Sequence, residues 1–185
     1  MALKATIFKA DVQIADMDRP YYGDHALTLA RHPSETDERV MMRVLAFALH
    51  AGDALAFGKG LSTDDEPDLW QRDLTGGIEL WIEVGLPDER RLRKACGRAA
   101  QVRVYAYGGH AADIWWKQNG DDLARNANLS VVNVPREASQ ALAALAQRTM
   151  KLQVTIQEAQ VWIADDTRSV ALEPATWKDA VAPVR

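Results

Sequence analysis

Hydrophobic and polar residues alternate along the first part of the chain, a pattern typical of a β-strand with one buried face. In residues 3–15 the apolar positions Phe8, Val12 and Ile14 share one face, because successive side chains of a strand point to opposite sides. A turn-rich stretch follows, and residues 25–30 have the pattern of a returning strand. We therefore predict a half-buried β-hairpin at the start of the chain.

The hydrophobic period lengthens after this hairpin, as expected for an amphipathic helix. Ser34 is the predicted N-cap, Asp37 stands at the capping-box position and Gly52 is the predicted stop. The apolar stripe of the helix includes Met41, and Glu38 lies one turn before it. We expect the Glu38 carboxylate to face the buried side.

The middle of the chain has the pattern strand, tight turn, strand, proline turn and helix. Strands are predicted at 69–73 and 78–85, since the Gly-Gly pair between them supplies the positive φ that a tight hairpin needs. A helix is predicted to begin after Asp88, its N-cap, and to lead into a strand at 102–107. Strand, helix and strand with short joints form a βαβ crossover, so the second and third strands should be parallel neighbours.

The remaining chain continues this alternation of helices and strands. We predict a short helix at 111–119, a strand at 129–134, an alanine-rich helix at 137–150, and a meander of strands at 151–157, 160–165 and 169–173. This order predicts an α/β or α+β fold with one mixed central sheet and flanking helices. A length of 185 residues predicts one domain, covering residues 1–185.

Composition and charge narrow the classes of function. Hydrophobic residues make up 48 % of the chain and charged residues 26 %, as in ordinary soluble globular proteins. There is no signal-peptide pattern and no apolar run of membrane-spanning length, and a single cysteine cannot form an internal disulfide, so we expect a cytoplasmic protein without a membrane partner. The net charge of −4 means that binding to nucleic acid would depend on local basic surface.

Carboxylates crowd the central hairpin. Residues 64–66 and Asp68 begin one arm, and Glu79 and Glu83 lie on the other. Carboxylates brought this close repel one another, which favours a divalent cation such as Mg²⁺. The alternative for residues 64–66 is a solvated acidic loop. Glu83 lies in an apolar strand, where an unpaired charge is costly, and this context favours a functional role.

The helix after the hairpin is basic. Arg90 and Arg91 are candidates to hold nucleic-acid phosphates. Lys94 lies nearly two turns into a helix that runs back along the strand, so we expect it to return to the level of Glu83 and to stabilise a pentacovalent phosphate. The alternative is that these side chains form an ordinary solvated face.

Other candidate sites receive little support from the sequence. The four histidines show no zinc-ligand spacing, and Gly108-Gly109 lacks the phosphate-loop pattern, so neither zinc nor a nucleoside triphosphate is expected. Ser34 has no context typical of a nucleophile. Trp115 and Trp116 are better explained by packing than by stacking on bases.

Several segments of the chain resemble the bacterial YaeQ family, over nearly the whole length. They are LARHPSETDER (29–39), DDEPDLW (64–70), LWIEVGLPDERR (80–91) with the following Lys-Ala pair, IWW (114–116), ANLSV (127–131) and RTMKLQVTIQ (148–157). The resemblance implies a fold similar to the PD-(D/E)XK nucleases, the restriction-endonuclease-like superfamily, with additional strands.

The resemblance also implies site residues. Pro67-Asp68 resembles the PD element, Glu83-Val84-Gly85 resembles (D/E)-x-K, and Glu38 stands where the acid of the first helix is found. Asp68 and Glu83 would bind Mg²⁺, and Glu38 would bind a second ion or orient water. Gly85 departs from the pattern, because a lysine is expected there, and Lys94 is the candidate substitute.

Three functions follow as hypotheses. The first is a metal-dependent phosphodiesterase that cleaves nucleic acid through Glu38, Asp68, Glu83 and Lys94. The second is a nuclease-like protein that has lost catalysis and binds nucleic acid or protein. The third is an interaction protein that uses its tryptophan-bearing C-terminal half, for which Glu83 would have no role.

Overall fold

The structure is a computed structural model, which describes residues 4–59 and 65–181. The described residues contain four helices and eleven strands. The strands are β1 (Thr6–Asp16), β2 (Tyr21–Arg31), β3 (Leu55–Phe57), β4 (Leu69–Arg72), β5 (Ile78–Val84), β6 (Ala99–Ala106), β7 (Leu129–Asn133), β8 (Thr149–Gln157), β9 (Gln160–Ala164), β10 (Ser169–Leu172) and β11 (Ala175–Lys178). The helices are α1 (Asp37–Leu49), α2 (Glu89–Arg98), α3 (His110–Leu123) and α4 (Arg136–Ala143).

The chain divides into two compact units, each built on its own mixed sheet. One unit consists of Met1–Asp53 and Glu137–Pro174, and the other of Ala54–Arg136 and Ala175–Arg185. Their strand orders are β10-β9-β8-β1-β2 and β11-β7-β6-β5-β4-β3. The mixed α/β class is therefore confirmed, whereas the expectation of one central sheet is wrong. The prediction of a single domain stays a prediction.

The N-terminal hairpin is confirmed, and it forms one edge of the first sheet and the strand beside that edge. β1 and β2 pair antiparallel from Thr6 with Arg31 to Asp16 with Tyr21. Phe8, Val12 and Ile14 are buried, as the alternation predicts. On its other side β1 pairs in parallel with β8, and the meander β8–β9–β10 follows as predicted.

Helix α1 begins later than the sequence predicts. Its N-cap is Thr36, whose side chain accepts a hydrogen bond from the backbone N–H of Arg39. Ser34 lies outside the helix and bonds to the His32 ring at 2.7 Å. The prediction of Ser34 as the cap is therefore wrong, because both residues are competent caps and the chain uses the later one.

Helix α4 is shorter than predicted. It ends at Ala143, and β8 begins at Thr149, so the expected helix over 137–150 is wrong in its second half. Alanine content is only a weak local preference. From Met150 onward, alternate side chains are buried and the backbone pairs with β1, and this tertiary pairing outweighs local helix propensity.

The central βαβ unit is confirmed and organises the second sheet. β5 pairs with β4 antiparallel and with β6 in parallel, and α2 connects β5 to β6. The Asp88 side chain caps α2 by accepting from the backbone N–H of Arg91. The core packed between these strands and the helices comprises Trp81, Leu92, Ala95, Ala99, Val102, Val104, Ala106, Trp115, Leu123, Leu129 and Val131.

The predicted packing role of the tryptophans is supported in this core. Trp115 is buried and its indole N–H donates to the Pro87 carbonyl at 2.7 Å. Trp116 packs against the same core and stacks on Trp177 with ring centroids 5.6 Å apart. Among the described residues, no helix is long and apolar enough to span a membrane.

Candidate functional site

The β4–β5 hairpin brings Asp68 and Glu83 together. Leu69 pairs with Ile82 across the hairpin, so Asp68, just before Leu69, lies next to Glu83, just after Ile82. Both are buried, with 6 % and 4 % of their surface exposed. The Asp68 carboxylate also accepts the backbone N–H of Val84 at 2.7 Å. The structure therefore places two of the predicted site residues in one buried acidic pair.

Glu83 is held by two donors on one carboxylate oxygen. The Trp81 indole N–H and the Arg91 Nε both donate to Glu83 Oε1 at 2.8 Å. The pKa of Glu83 is raised to about 6, first by burial and second by the negative charge of Asp68. The positive charge of Arg91 acts in the opposite direction on this pKa. Carboxyl groups whose pKa is shifted toward neutrality are common in functional sites.

Arg91 connects three parts of the site. Helix α2 places it at the third helical position, where its backbone N–H is capped by Asp88 at 2.7 Å. Its Nε contacts Glu83, and its Nη2 donates to the Glu66 carbonyl at 2.9 Å. The guanidinium thus fixes the end of β5 against the segment that leads into β4.

Lys94 is placed elsewhere. Its Nζ lies 3.1 Å from the Asp65 carboxylate, in an ion pair whose side chains are 61 % and 78 % exposed. This hydrogen bond and the Lys94 charge lower the pKa of Asp65. The position beside Glu83 that Lys94 was expected to reach is taken by Arg91, one helical turn earlier. The catalytic role of Lys94 stays a prediction.

The rest of α2 presents a basic surface. Arg90 is exposed. Arg93 pairs with Glu89 on the same helix at 3.3 Å, and Arg98 donates to the Asp65 carbonyl at 3.1 Å. Arg90 faces solvent and Arg91 faces the acidic pair. The binding of nucleic acid by these two residues remains a prediction.

Glu38 belongs to the first unit, whereas Asp68, Glu83 and Lys94 belong to the second. It lies in the first turn of α1, and its Oε1 accepts the hydroxyl of Ser139 at 2.6 Å. Ser139 is fully buried on α4. The sequence reasoning missed Ser139, because the two residues are 101 positions apart and no local pattern connects them.

Gly85 has a backbone conformation that explains the missing lysine. Its φ is +112°, and its N–H donates to the Tyr105 carbonyl at 2.9 Å. This region of φ is rarely adopted by residues with a Cβ. A lysine at this position would strain the backbone just where β5 ends.

The other predicted acidic residues have separate partners. Glu79 is exposed and accepts from the Gln71 amide at 2.7 Å, and the Glu66 carboxylate accepts from the Lys59 N–H at 2.9 Å. Asp64 lies outside the described residues. Within residues 4–59 and 65–181, no group of three His, Cys, Asp or Glu side chains is close enough to hold a metal ion.

The fold is of the mixed α/β class, because it consists of two mixed sheets with connecting helices. Its candidate site is the buried acidic pair at the β4–β5 hairpin. The YaeQ protein family model matches residues 1–174. The chain belongs to the YaeQ family.

Relatives and solved structures agree with this assignment. The chain is 50 % identical over 178 residues to the uncharacterized protein YaeQ of Escherichia coli K12, and 49 % identical over 178 residues to that of Salmonella typhi, covering 96 % of the chain and 98 % of each relative. The crystal structure of the YaeQ protein from Xanthomonas axonopodis pv. citri matches with a TM-score of 0.91 at 53 % identity, covering 94 % of this chain and 98 % of that one. The Pseudomonas syringae YaeQ protein matches with a TM-score of 0.90 at 34 % identity, covering 95 % and 97 % of the two chains.

Proposed function

We propose that the protein is a metal-dependent phosphodiesterase that cleaves nucleic acid at a variant PD-(D/E)XK site. The observation that carries the proposal is the buried pair of Asp68 and Glu83 on neighbouring strands. Two buried carboxylates destabilise one another unless cations compensate their charge. Arg91 supplies one positive charge at Glu83, and a bound divalent ion would supply more. Their positions at one end of the β4–β5 hairpin are those that the resemblance assigns to the metal ligands.

The donor set fits a sparsely held Mg²⁺ ion. Mg²⁺ typically takes one or two carboxylates from the protein and keeps water and phosphate oxygens as its other ligands. Asp68 and Glu83 supply two carboxylates, so a third protein ligand is not required. When bound, the ion would supply a more acidic water molecule and would neutralise phosphate charge.

The remaining residues take roles that match their exposure. Arg90, exposed on α2, would contact backbone phosphates of the nucleic acid. Lys94, in an exposed pair with Asp65, would reach a phosphate by exchanging that partner. For Glu38, whose carboxylate accepts the Ser139 hydroxyl within the first unit, the role that the resemblance implies stays a prediction.

The test is cleavage of labelled single- and double-stranded DNA and RNA with Mg²⁺ or Mn²⁺. Asp68→Asn and Glu83→Gln should each lower cleavage by at least about 100-fold, because each removes charge from the site. Glu79→Gln is the matched control, since Glu79 is an exposed carboxylate on the same strand, and it should cleave like wild type. Equal loss in all three variants, or none in any, would contradict the assignment of the site.

A binding protein without catalysis is the second candidate, and two observations favour it. Gly85 has a φ of +112°, which disfavours a lysine, and Glu83 already has a cationic partner in Arg91 at 2.8 Å. If this function is correct, folded wild-type protein will bind an oligonucleotide or a protein partner with either ion present and will leave every nucleic acid intact.

A further inference from the structure

Arg91 carries a positive charge into the acidic pair, next to Glu83. We propose that Arg91 is the catalytic residue that stabilises the negative charge developing on the scissile phosphodiester. This inference rests on the proposed nuclease function and reassigns the role that the sequence suggested for Lys94. It gives Arg91 a role in the reaction in place of the phosphate-binding role that the sequence suggested for it.

Two hydrogen bonds hold the guanidinium, and a third holds the backbone of Arg91. Its Nε donates to Glu83 at 2.8 Å, its Nη2 donates to the Glu66 carbonyl at 2.9 Å, and its own backbone is capped by Asp88 at 2.7 Å. The side chain nevertheless keeps 24 % of its surface exposed. A cation that is held by the protein and still reaches solvent is preorganised, so it stabilises a transition state without rearranging.

Lys94 lacks this preorganisation. Its ammonium pairs with Asp65, and 61 % of the lysine side chain is exposed. Exposed ion pairs of long side chains are weak and exchange readily with solvent. A lysine in this setting suits the binding of substrate better than the stabilisation of one reacting group.

The strand itself offers no alternative source of charge at the lysine position of the motif. Gly85 has a φ of +112°, which a lysine would adopt only under strain. The charge therefore has to come from a neighbouring element. Helix α2 supplies it, because Arg91 is the residue of that helix whose side chain contacts Glu83.

The proposed step is hydrolysis of a phosphodiester bond. The water oxygen forms a bond to phosphorus and the bond from phosphorus to the leaving oxygen breaks. The water gives up one proton to solvent, and the leaving oxygen takes one from solvent. Arg91 takes no part in these proton transfers and acts by its charge and its planar set of donors.

The experiment compares matched variants on α2. Arg91→Gln removes the charge and keeps amide donors for Glu83, whereas Arg91→Lys keeps the charge. Arg93→Ala is the control, since Arg93 is an exposed cation of the same helix, paired with Glu89. For each variant, kcat and KM on a labelled oligonucleotide, its Kd for the same oligonucleotide in EDTA and the thermal midpoint are measured.

The proposal predicts a loss in kcat. Arg91→Gln should lower kcat by about 100- to 1000-fold, with KM and the Kd in EDTA within about threefold of wild type. Arg91→Lys should recover at least about tenfold of the loss, because it restores the charge. Lys94→Ala should raise KM and Kd, with kcat within about threefold, and Arg93→Ala should match wild type.

Three results would overturn the proposal. A folded Arg91→Gln protein that keeps the wild-type kcat would remove Arg91 from the reaction, and a large loss of kcat in Lys94→Ala would return the role to Lys94. A weaker Kd with unchanged kcat in Arg91→Gln would make Arg91 a binding residue. If wild type cleaves nothing, the nuclease function itself fails and takes this role with it. This result is distinct from those three because it is seen without any variant.

Discussion

At the scale of single residues, Glu83 is costly to the fold. Its pKa rises from 4.5 to about 6, chiefly because of burial. The folded state therefore holds the proton more tightly than the unfolded state does. The more tightly held proton adds to the free energy of unfolding. This stabilisation is fully present below pH 4.5 and is lost as the pH rises through 6, where Glu83 becomes a buried charge.

Glu83→Gln should therefore stabilise the protein at pH 8, by up to about 2 kcal/mol. Glutamine keeps an oxygen that accepts from Trp81 and Arg91 and carries no charge to desolvate. The advantage should vanish near pH 4, where Glu83 is protonated. Urea unfolding of both proteins at the two pH values measures it, with Glu79→Gln as an exposed control. A variant that is less stable than wild type at pH 8 would show that the ion pair with Arg91 outweighs the burial.

Gly85 is constrained by its backbone conformation, and the energy of this constraint can be measured. Gly85→Ala should lower the free energy of unfolding by about 1–3 kcal/mol, because alanine is strained at a φ of +112°. Gly97→Ala is the matched control, since nothing lies within 4 Å of a Cβ built there and it occupies a helix. Alanine at 97 should stabilise by about 0.5–1 kcal/mol. Opposite signs in urea unfolding support the conformational argument, and a loss at both positions contradicts it.

At the scale of elements, local patterns predicted more than long-range ones. The β4–β5 hairpin and α2 follow from adjacent residues, so Asp68 and Glu83 were placed on neighbouring strands from sequence alone. The contact of Arg91 with Glu83 could not be predicted from the sequence. Arg91 and Lys94 lie one helical turn apart and could each reach Glu83, and in the structure Lys94 pairs with Asp65 instead. The division into two sheets also escaped prediction, since alternation shows that a residue is in a strand without showing which strand it pairs with.

The true cap of α1 gives a test at this scale. Thr36→Ala should cost about 1 kcal/mol, because it removes the acceptor for the Arg39 N–H. Ser34→Ala should cost less than half of that, since the Ser34 hydroxyl bonds to the His32 ring in an exposed turn and does not cap the helix. Thermal or urea unfolding of the two variants compares them directly. A larger cost at Ser34 would mean that the helix starts where the sequence pattern suggested.

At the scale of the whole molecule, the net charge of −4 restricts how nucleic acid could bind. Attraction to phosphate would come from Arg90 and Lys94 on α2 and not from the overall charge. The fold is shared with the YaeQ proteins of Xanthomonas axonopodis pv. citri and Pseudomonas syringae, and a shared fold does not by itself establish a shared activity.

The salt dependence of oligonucleotide binding tests whether this proposed interface exists. Each phosphate contact adds about 0.9 to the slope of log Kd against log salt for duplex DNA. Arg90→Ala should lower the slope by about that amount, because Arg90 is an exposed cation of the proposed surface. Arg125→Ala, an exposed cation beyond the end of α3, should leave the slope unchanged. Equal slopes for both variants and wild type would exclude Arg90 from the interface.

The parallel pairing of β1 with β8 has a consequence for how the protein is made. Lys9 pairs with Thr149, so one side of the N-terminal strand finds its partner only after about 140 further residues have left the ribosome. Until then, the edge of β1 that β8 covers in the folded sheet has no partner strand, and open edges are sites of misassociation. The stretch 54–136, in contrast, contains five of the six strands of the second sheet in one continuous run. Order of synthesis therefore favours structure in the middle of the chain before the sheet that contains its beginning is complete.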